Sequence, residues 1–159
     1  MDGLEAVTNE LKQIHMRETF TPIDHNTLSV EDKKKVLESH LFLEQKRNLE
    51  IKGRLVAGDN KQRVYMNKDE VGSPTCTTES IILTDTIDAK ENRDVTTVDI
   101  PNSFVQTDVD GIIYMRLRGK LSELLTKSAP ETYSKYILNN KIGESVLYVR
   151  LKKALYGIM

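Results

Sequence analysis

Two extended runs on either side of Asn48 constrain the fold of this chain more than any other feature. The stretch LFLEQKRNLEIKGRLVA, residues 41–57, predicts two strands around a short polar turn, and therefore an antiparallel β-hairpin. The turn is imperfect, because the tightest hairpin turns prefer Asn-Gly and Leu49 stands in the glycine position. A hairpin this close to the N-terminal helical pattern indicates a mixed fold.

Helical and extended patterns alternate along the rest of the chain. Leu4, Val7, Leu11 and Ile14 recur at the helical interval, and Ser29 precedes Asp32 by three residues, as at the start of a capped helix. The predicted elements, in chain order, are a helix over 3–15, a helix across 30–40, the hairpin, a helix from Thr77 or Thr78 to about 91, a strand leading to Asp99, a strand over 112–118, two short helices separated by Pro130, and a final strand in SVLYVRL. There is no internal repeat and no linker. The sequence therefore predicts one α+β unit.

Composition excludes several classes of protein. The formal net charge is −1, so no global field directs the chain to nucleic acid or to a membrane surface. A single cysteine, Cys76, allows no internal disulfide, and the N-terminus lacks the basic start and apolar run of a signal peptide. No apolar stretch approaches the roughly 20 residues of a membrane helix. We expect a protein of the cytoplasm or nucleus that is not secreted and has no membrane partner.

Asp99 is the sharpest candidate for a functional residue. A carboxylate at the end of a buried strand is held rigidly at the sheet edge, where it suits a hard cation such as Mg²⁺. Pro101 follows two residues later and prevents further ladder pairing. The alternative is that Asp99 only caps the turn that starts at Pro101.

The hairpin is locally basic although the whole chain is nearly neutral. Residues 44–66 carry six basic side chains against three acidic ones. These are Lys46, Arg47, Lys52, Arg54, Lys61 and Arg63 against Glu44, Glu50 and Asp59. Such an arm can clamp phosphates, or it can be a solvated edge that resists aggregation.

Other common sites are excluded by spacing. Asp108, Asp110 and Gly111 do not fit a calcium loop, because the first and last ligand positions would hold Gln106 and Leu117, and they predict a turn instead. The three histidines share no metal-ligand spacing, and there is no glycine-rich phosphate loop. A zinc site and a nucleotide loop of that type are not expected.

Three segments resemble the reverse transcriptases of copia-like retrotransposons. IKGRLVAGDNKQR, residues 51–63, resembles the fingers hairpin of that family, and residues 73–115 resemble the helix and first catalytic motif that follow it. LYVRLKKALYGIM, residues 147–159, resembles the palm stretch L-x-K-x-L-Y-G. LEAVTNELKQI, residues 4–14, resembles the helix that begins the domain. The resemblance spans nearly the whole chain in the right order.

The resemblance implies a metal-dependent nucleotidyl transfer. Asp99 matches the first metal-binding aspartate, and the backbone carbonyl of Ile100 is expected near one of the two Mg²⁺ ions. Phe104 matches the aromatic residue that presses on the sugar and disfavours a 2′-hydroxyl; the alternative is an ordinary core phenylalanine.

The resemblance also implies contacts with substrates. Lys52 and Arg54 lie on the hairpin that holds the incoming deoxynucleoside triphosphate, and the pattern does not tell which of them points inward. Tyr156 and Gly157 match the start of the motif that supports the nascent base pair. Nucleic acid, as template and primer, is the implied partner.

Residues 1–159 are therefore expected to form one partial reverse transcriptase domain, an α+β fingers-and-palm unit. Its N-terminal helices and fingers hairpin occupy about 1–95, and the start of the palm occupies about 95–159. The family's Tyr-x-Asp-Asp hairpin, which supplies two more metal-binding aspartates, does not occur in this sequence. Because one carboxylate cannot hold two metal ions, we expect a truncated fragment that is inactive alone. The alternatives are a nucleic-acid-binding remnant without chemistry and an unstable product of a decayed gene.

Overall fold

The computed structural model describes residues 2–58, 76–98 and 103–156. The helices are α1 (Gly3–Met16), α2 (Val30–Lys35), α3 (Thr78–Lys90), α4 (Lys120–Ser128) and α5 (Pro130–Tyr133). The strands are β1 (Phe20–Pro22), β2 (Leu37–Gln45), β3 (Ile51–Ala57), β4 (Tyr114–Arg118), β5 (Leu138–Asn139) and β6 (Ser145–Leu151). Short 3₁₀ turns occupy His25–Thr27, Ser103–Gln106 and Ser134–Tyr136. The fold is α+β, as predicted.

Helix α1 forms where the apolar spacing predicted it. Asp2 is its N-cap, and the carboxylate accepts hydrogen bonds from the backbone N–H groups of Leu4 at 2.6 Å and Glu5 at 3.0 Å. Val7, Leu11 and Ile14 are buried, whereas Leu4 is exposed. The apolar stripe therefore faces the core over the last three turns of the helix.

Helix α2 is shorter than predicted. The capping box is present, since the Ser29 hydroxyl accepts the Asp32 N–H and the Asp32 carboxylate accepts the Ser29 N–H. The helix nevertheless ends at Lys35, and the prediction that it reaches residue 40 is wrong. Val36 and Leu37 are buried, and the chain turns into β2 at Leu37, where alternate side chains point to the core.

The predicted hairpin is confirmed. Strands β2 and β3 pair antiparallel from Ser39↔Ala57 to Gln45↔Ile51, around a turn at residues 46–50. Leu49 adopts a left-handed backbone conformation, with a φ of 65°. This is the position where the sequence lacked the preferred glycine, so the turn forms at the cost of local strain.

The sheet is built around β6. Its strand order is β1-β6-β4-β2-β3, with β5 also paired to β6; β2 and β4 are parallel and the other pairs are antiparallel. Strands β4 and β6 were predicted, as was the helix that begins at Pro130. Strands β1 and β5 were not, because runs of two or three residues have no measurable period.

Helices α1 and α4 cover one face of the sheet. Alternate residues of the central strands point to α1 and α4 and are buried there with Leu11 and Leu125. The main strand residues of this core are Leu37, Leu55, Met115, Leu117, Leu147 and Val149. Tyr133 is buried in the helical layer, and its hydroxyl is hydrogen-bonded to His15 Nδ1 at 2.9 Å. Burial raises the pKa of Tyr133 to about 12. The opposite face of the sheet carries the other half of the strand residues.

The strand expected to lead to Asp99 does not form over residues 93–98. These residues have no regular structure, and Val95 and Val98 are exposed by 62% and 74%. Both edges of β4 are already paired, one with β2 and the other with β6, so β4 offers no free edge for a further strand. Asp99 itself lies outside the described residues.

Helix α3 forms as predicted, with Thr77 as its N-cap, but no residue of it is buried. Within the described ranges, no helix combines the length and apolar character needed to cross a membrane.

We predict that Leu49→Gly stabilises the protein. Glycine adopts a positive φ without the steric cost that leucine has, so the free energy of unfolding should rise by about 0.5 kcal/mol or more. Urea unfolding followed by circular dichroism measures the change. Arg47→Gly, at a turn residue whose φ is not positive, is the matched control and should destabilise by about 0.5–1 kcal/mol. Equal losses for both variants would show that Leu49 is not strained.

Candidate nucleic-acid interface

Backbone hydrogen bonds connect the described parts of the three segments. The Ala57 N–H at the end of β3 donates to the Tyr156 carbonyl at 2.9 Å, and the Ala154 N–H donates to the Thr107 carbonyl at 2.8 Å. The Val109 N–H donates to the Lys152 carbonyl at 2.9 Å. Residues 152–156, which follow β6, therefore lie next to the end of the hairpin and next to residues 107–109.

Arg54 and Tyr156 contact each other directly. The guanidinium carbon of Arg54 lies 5.7 Å from the centre of the Tyr156 ring, within the range of a cation–π interaction. Arg54 also forms an ion pair with Glu44 at 3.5 Å. Two residues predicted to act in the same site, a hundred positions apart in the sequence, are thus brought together.

Lys52 and Arg54 point to the same side of the sheet. They alternate with Gly53 and Leu55, which face α1, so both cations lie on the face that the helices leave open. The sequence left open which of the two points inward. The structure places both on this face, with Arg54 the one against Tyr156.

Strand pairing extends this face across the sheet. Phe42 lies opposite Arg54, Glu38 beside Arg116, and Tyr148 opposite Arg116. The residues of β2, β3, β4 and β6 that share this side are Glu38, His40, Phe42, Glu44, Lys52, Arg54, Val56, Tyr114, Arg116, Arg118, Val146, Tyr148 and Arg150. We call this set the open face.

The open face is rich in cations and aromatic rings. Among the residues just named, five are basic and two are acidic. Phe42 is 59% exposed, and the tyrosines are half-buried. Flat rings provide surfaces on which bases stack, and arginine forms two hydrogen bonds to a phosphate. This combination of side chains suits single-stranded nucleic acid.

Glu38 organises the centre of the open face. Its carboxylate accepts from Arg116 Nε at 2.6 Å, contacts the terminal Nη2 of the same residue, and lies 3.3 Å from Arg118. The hydrogen bond to Glu38 raises the pKa of Arg116, which stays cationic. Glu38 thus fixes two arginines in position and also competes with any phosphate that approaches them.

The alternating pattern of SVLYVRL already placed Tyr148 and Arg150 on one face of a strand, but the sequence did not show which strands lie beside it. Arg116, Arg118 and Phe42 became candidates only once the strand order was known.

Several predicted site residues lie outside the described part of the chain. Asp99, Ile100 and Gly157 belong to segments that the structure does not describe. Phe104 lies in the 3₁₀ turn Ser103–Gln106, and nothing is described of its side chain; its neighbour Val105 is buried in the core. The roles of these residues remain predictions.

The described residues contain no cluster of metal-binding side chains. Within residues 2–58, 76–98 and 103–156, no group of three or more histidine, cysteine, aspartate or glutamate side chains could hold a metal ion.

Glu10 joins α1 to the back of the hairpin. Its carboxylate accepts the Leu55 N–H at 3.1 Å, next to Gly53, where an added Cβ would lie 3.1 Å from the Ala6 carbonyl oxygen. Burial raises the pKa of Glu10, and this effect outweighs the hydrogen bond from Leu55 and the charges of Lys52 and Arg54. A polar cavity of about 280 Å³ lies beside it, between α1 and the hairpin turn.

Comparison with protein-family models, with curated proteins and with solved structures finds no match to this chain.

We predict that Glu10→Gln stabilises the protein at pH 7 but not at pH 4. The raised pKa means that the folded state binds the Glu10 proton more tightly than the unfolded state, so stability falls as pH rises from the ordinary value near 4.5 through the raised one. Glutamine keeps the acceptor for Leu55 and has no charge to desolvate. Urea unfolding of both proteins at several pH values measures the difference.

Glu18→Gln is the matched control, because the Glu18 side chain is 80% exposed. It should change the pH dependence little. If Glu10→Gln lowers the free energy of unfolding at pH 7, the ionised carboxylate is favourable there and the prediction is wrong.

Proposed function

We propose that this chain is the fingers-and-palm part of a copia-like RNA-directed DNA polymerase, and that its open face holds template and primer. The observation that supports this most is that residues 152–156 are hydrogen-bonded to both of the other resembling segments. Ala57 is hydrogen-bonded to Tyr156, and Thr107 to Ala154, although the segments are distant in sequence. A resemblance of unrelated pieces would not require them to meet.

The Arg54–Tyr156 contact supports the substrate roles of the hairpin. In this proposal Arg54 and Lys52 neutralise the triphosphate, and Tyr156 backs Arg54 while it supports the nascent base pair with Gly157. The stacked ring limits the conformations of the guanidinium, which lowers the entropy lost when a phosphate binds.

Asp99, the carbonyl of Ile100 and Phe104 complete the proposal. Asp99 and Ile100 would bind Mg²⁺, which in this chemistry activates the primer oxygen and stabilises the leaving pyrophosphate. Phe104 would exclude a 2′-hydroxyl. The 159 residues contain no Tyr-x-Asp-Asp, so we expect them to bind nucleic acid without extending a primer.

A second candidate function is nucleic-acid binding without any reaction. It is favoured by the composition of the open face, whose cations and rings lie within the described strands and do not depend on Asp99. The face supplies Arg118 and Arg150 at exposed positions and Phe42 as a stacking surface.

Binding to a fluorescently labelled single-stranded oligonucleotide tests the interface that both candidates share. We expect affinity to fall steeply with salt, and Arg54→Ala or Arg150→Ala to weaken binding about three- to tenfold and to reduce the salt slope by about one. Lys12→Ala removes one exposed cation from α1, on the covered side of the sheet, and is the matched control. It should bind as the wild type does.

Equal losses in all three variants would show that net charge, rather than the open face, determines binding. An absence of binding at low salt would overturn both candidates.

Primer extension with Mg²⁺ and an RNA template tests the absence of activity that both candidates predict for this chain. We expect no DNA synthesis by the 159-residue chain. Template-dependent synthesis that Asp99→Asn abolishes would overturn the predicted inactivity and support the polymerase assignment.

A further inference from the structure

Helix α3 presents an apolar surface to solvent. Ile81, Ile82, Leu83 and Ile87 are 50%, 60%, 62% and 42% exposed, and no residue of the helix is buried. Exposed apolar clusters of this kind mark interaction surfaces in soluble proteins.

One side of α3 has a specific order of charges. Glu79 and Lys90 are eleven residues apart, which is close to three helical turns, so they lie within about 20° of one line along the helix. Ile82, Leu83 and Ile87 lie between them and within about 80° of that line. The side therefore has an acidic end, an apolar middle and a basic end.

We infer that α3 pairs antiparallel with α3 of a second copy of this chain. A two-fold axis between Leu83 and Thr86 sets Glu79 against Lys90 of the second copy, while Ile82 and Ile87 lie on the two flanks of the contact line. Leu83 then meets Thr86 of the second copy. One register satisfies both pairs, as a self-complementary two-fold interface requires.

The order of charges along α3 favours a second copy of the same helix as its partner. An acid at one end and a base at the other are matched by the same surface turned end to end, and antiparallel helices also oppose their dipoles favourably. A parallel pair would place like charges together. The paired area of one 13-residue helix is well below the roughly 800 Å² per partner of a standard interface, so the dimer is weak, in the micromolar range or above.

Analytical ultracentrifugation of the full chain across a concentration series tests the pairing. We expect a reversible monomer–dimer equilibrium that Leu83→Asp abolishes. Ile81→Asp is the matched control, because Ile81 lies on the other side of the helix with Asp85 and Asp88. It should leave dimerisation unchanged. Both positions are exposed, so neither substitution disturbs the core, and circular dichroism verifies that the helix is kept.

A charge exchange tests the register. Glu79→Lys and Lys90→Glu should each weaken the dimer about three- to tenfold, because each change places two like-charge pairs across the axis. The double variant should restore the wild-type dissociation constant. A protein that stays monomeric at every concentration, or association that the double variant fails to restore, would overturn the inference.

Discussion

Strand β6 is the element on which the rest of the structure depends. Along one edge it pairs with β4, and along the other with β1 and β5. Leu147, Val149 and Leu151 of this strand lie in the core beneath α1 and α4. Each neighbouring strand gains both its hydrogen-bond partner and part of its apolar contact from β6. Substitutions in this strand should therefore affect all layers of the fold together.

Covering one face of the sheet determines the chemistry of the other. Because strand side chains alternate, packing Leu55 and Met115 into the core directs their neighbours Arg54 and Arg116 to the other face of the sheet. The open face is thus a consequence of one-sided packing as well as a candidate site. Glu38 then sets how strongly it attracts anions, since it neutralises part of the positive charge at the centre of the face.

The sequence predicted individual helices and strands better than it predicted which of them lie next to one another. The cap and apolar spacing of α1, the hairpin around Asn48 and the alternation in β6 are local signals, and all three predictions were confirmed. The strand predicted before Asp99 was wrong over residues 96–98, because its pattern carried no information about which edges of β4 were already paired. The alternation within each strand predicts which side chains share a face, but not which strands lie side by side, because the strand order is not a local property of the sequence.

The position of β6 in the chain has a consequence for synthesis on the ribosome. Phe20 pairs with Leu151, which is synthesised 131 residues later. Helix α1 and the hairpin therefore leave the ribosome long before β6, the strand that completes the sheet. Contacts this distant in sequence form slowly, because a long loop must close first. Until then Phe20 and the other core residues that pack against β6 lack that contact. The yield of folded protein in a cell should therefore depend on chaperones that cover nascent chains.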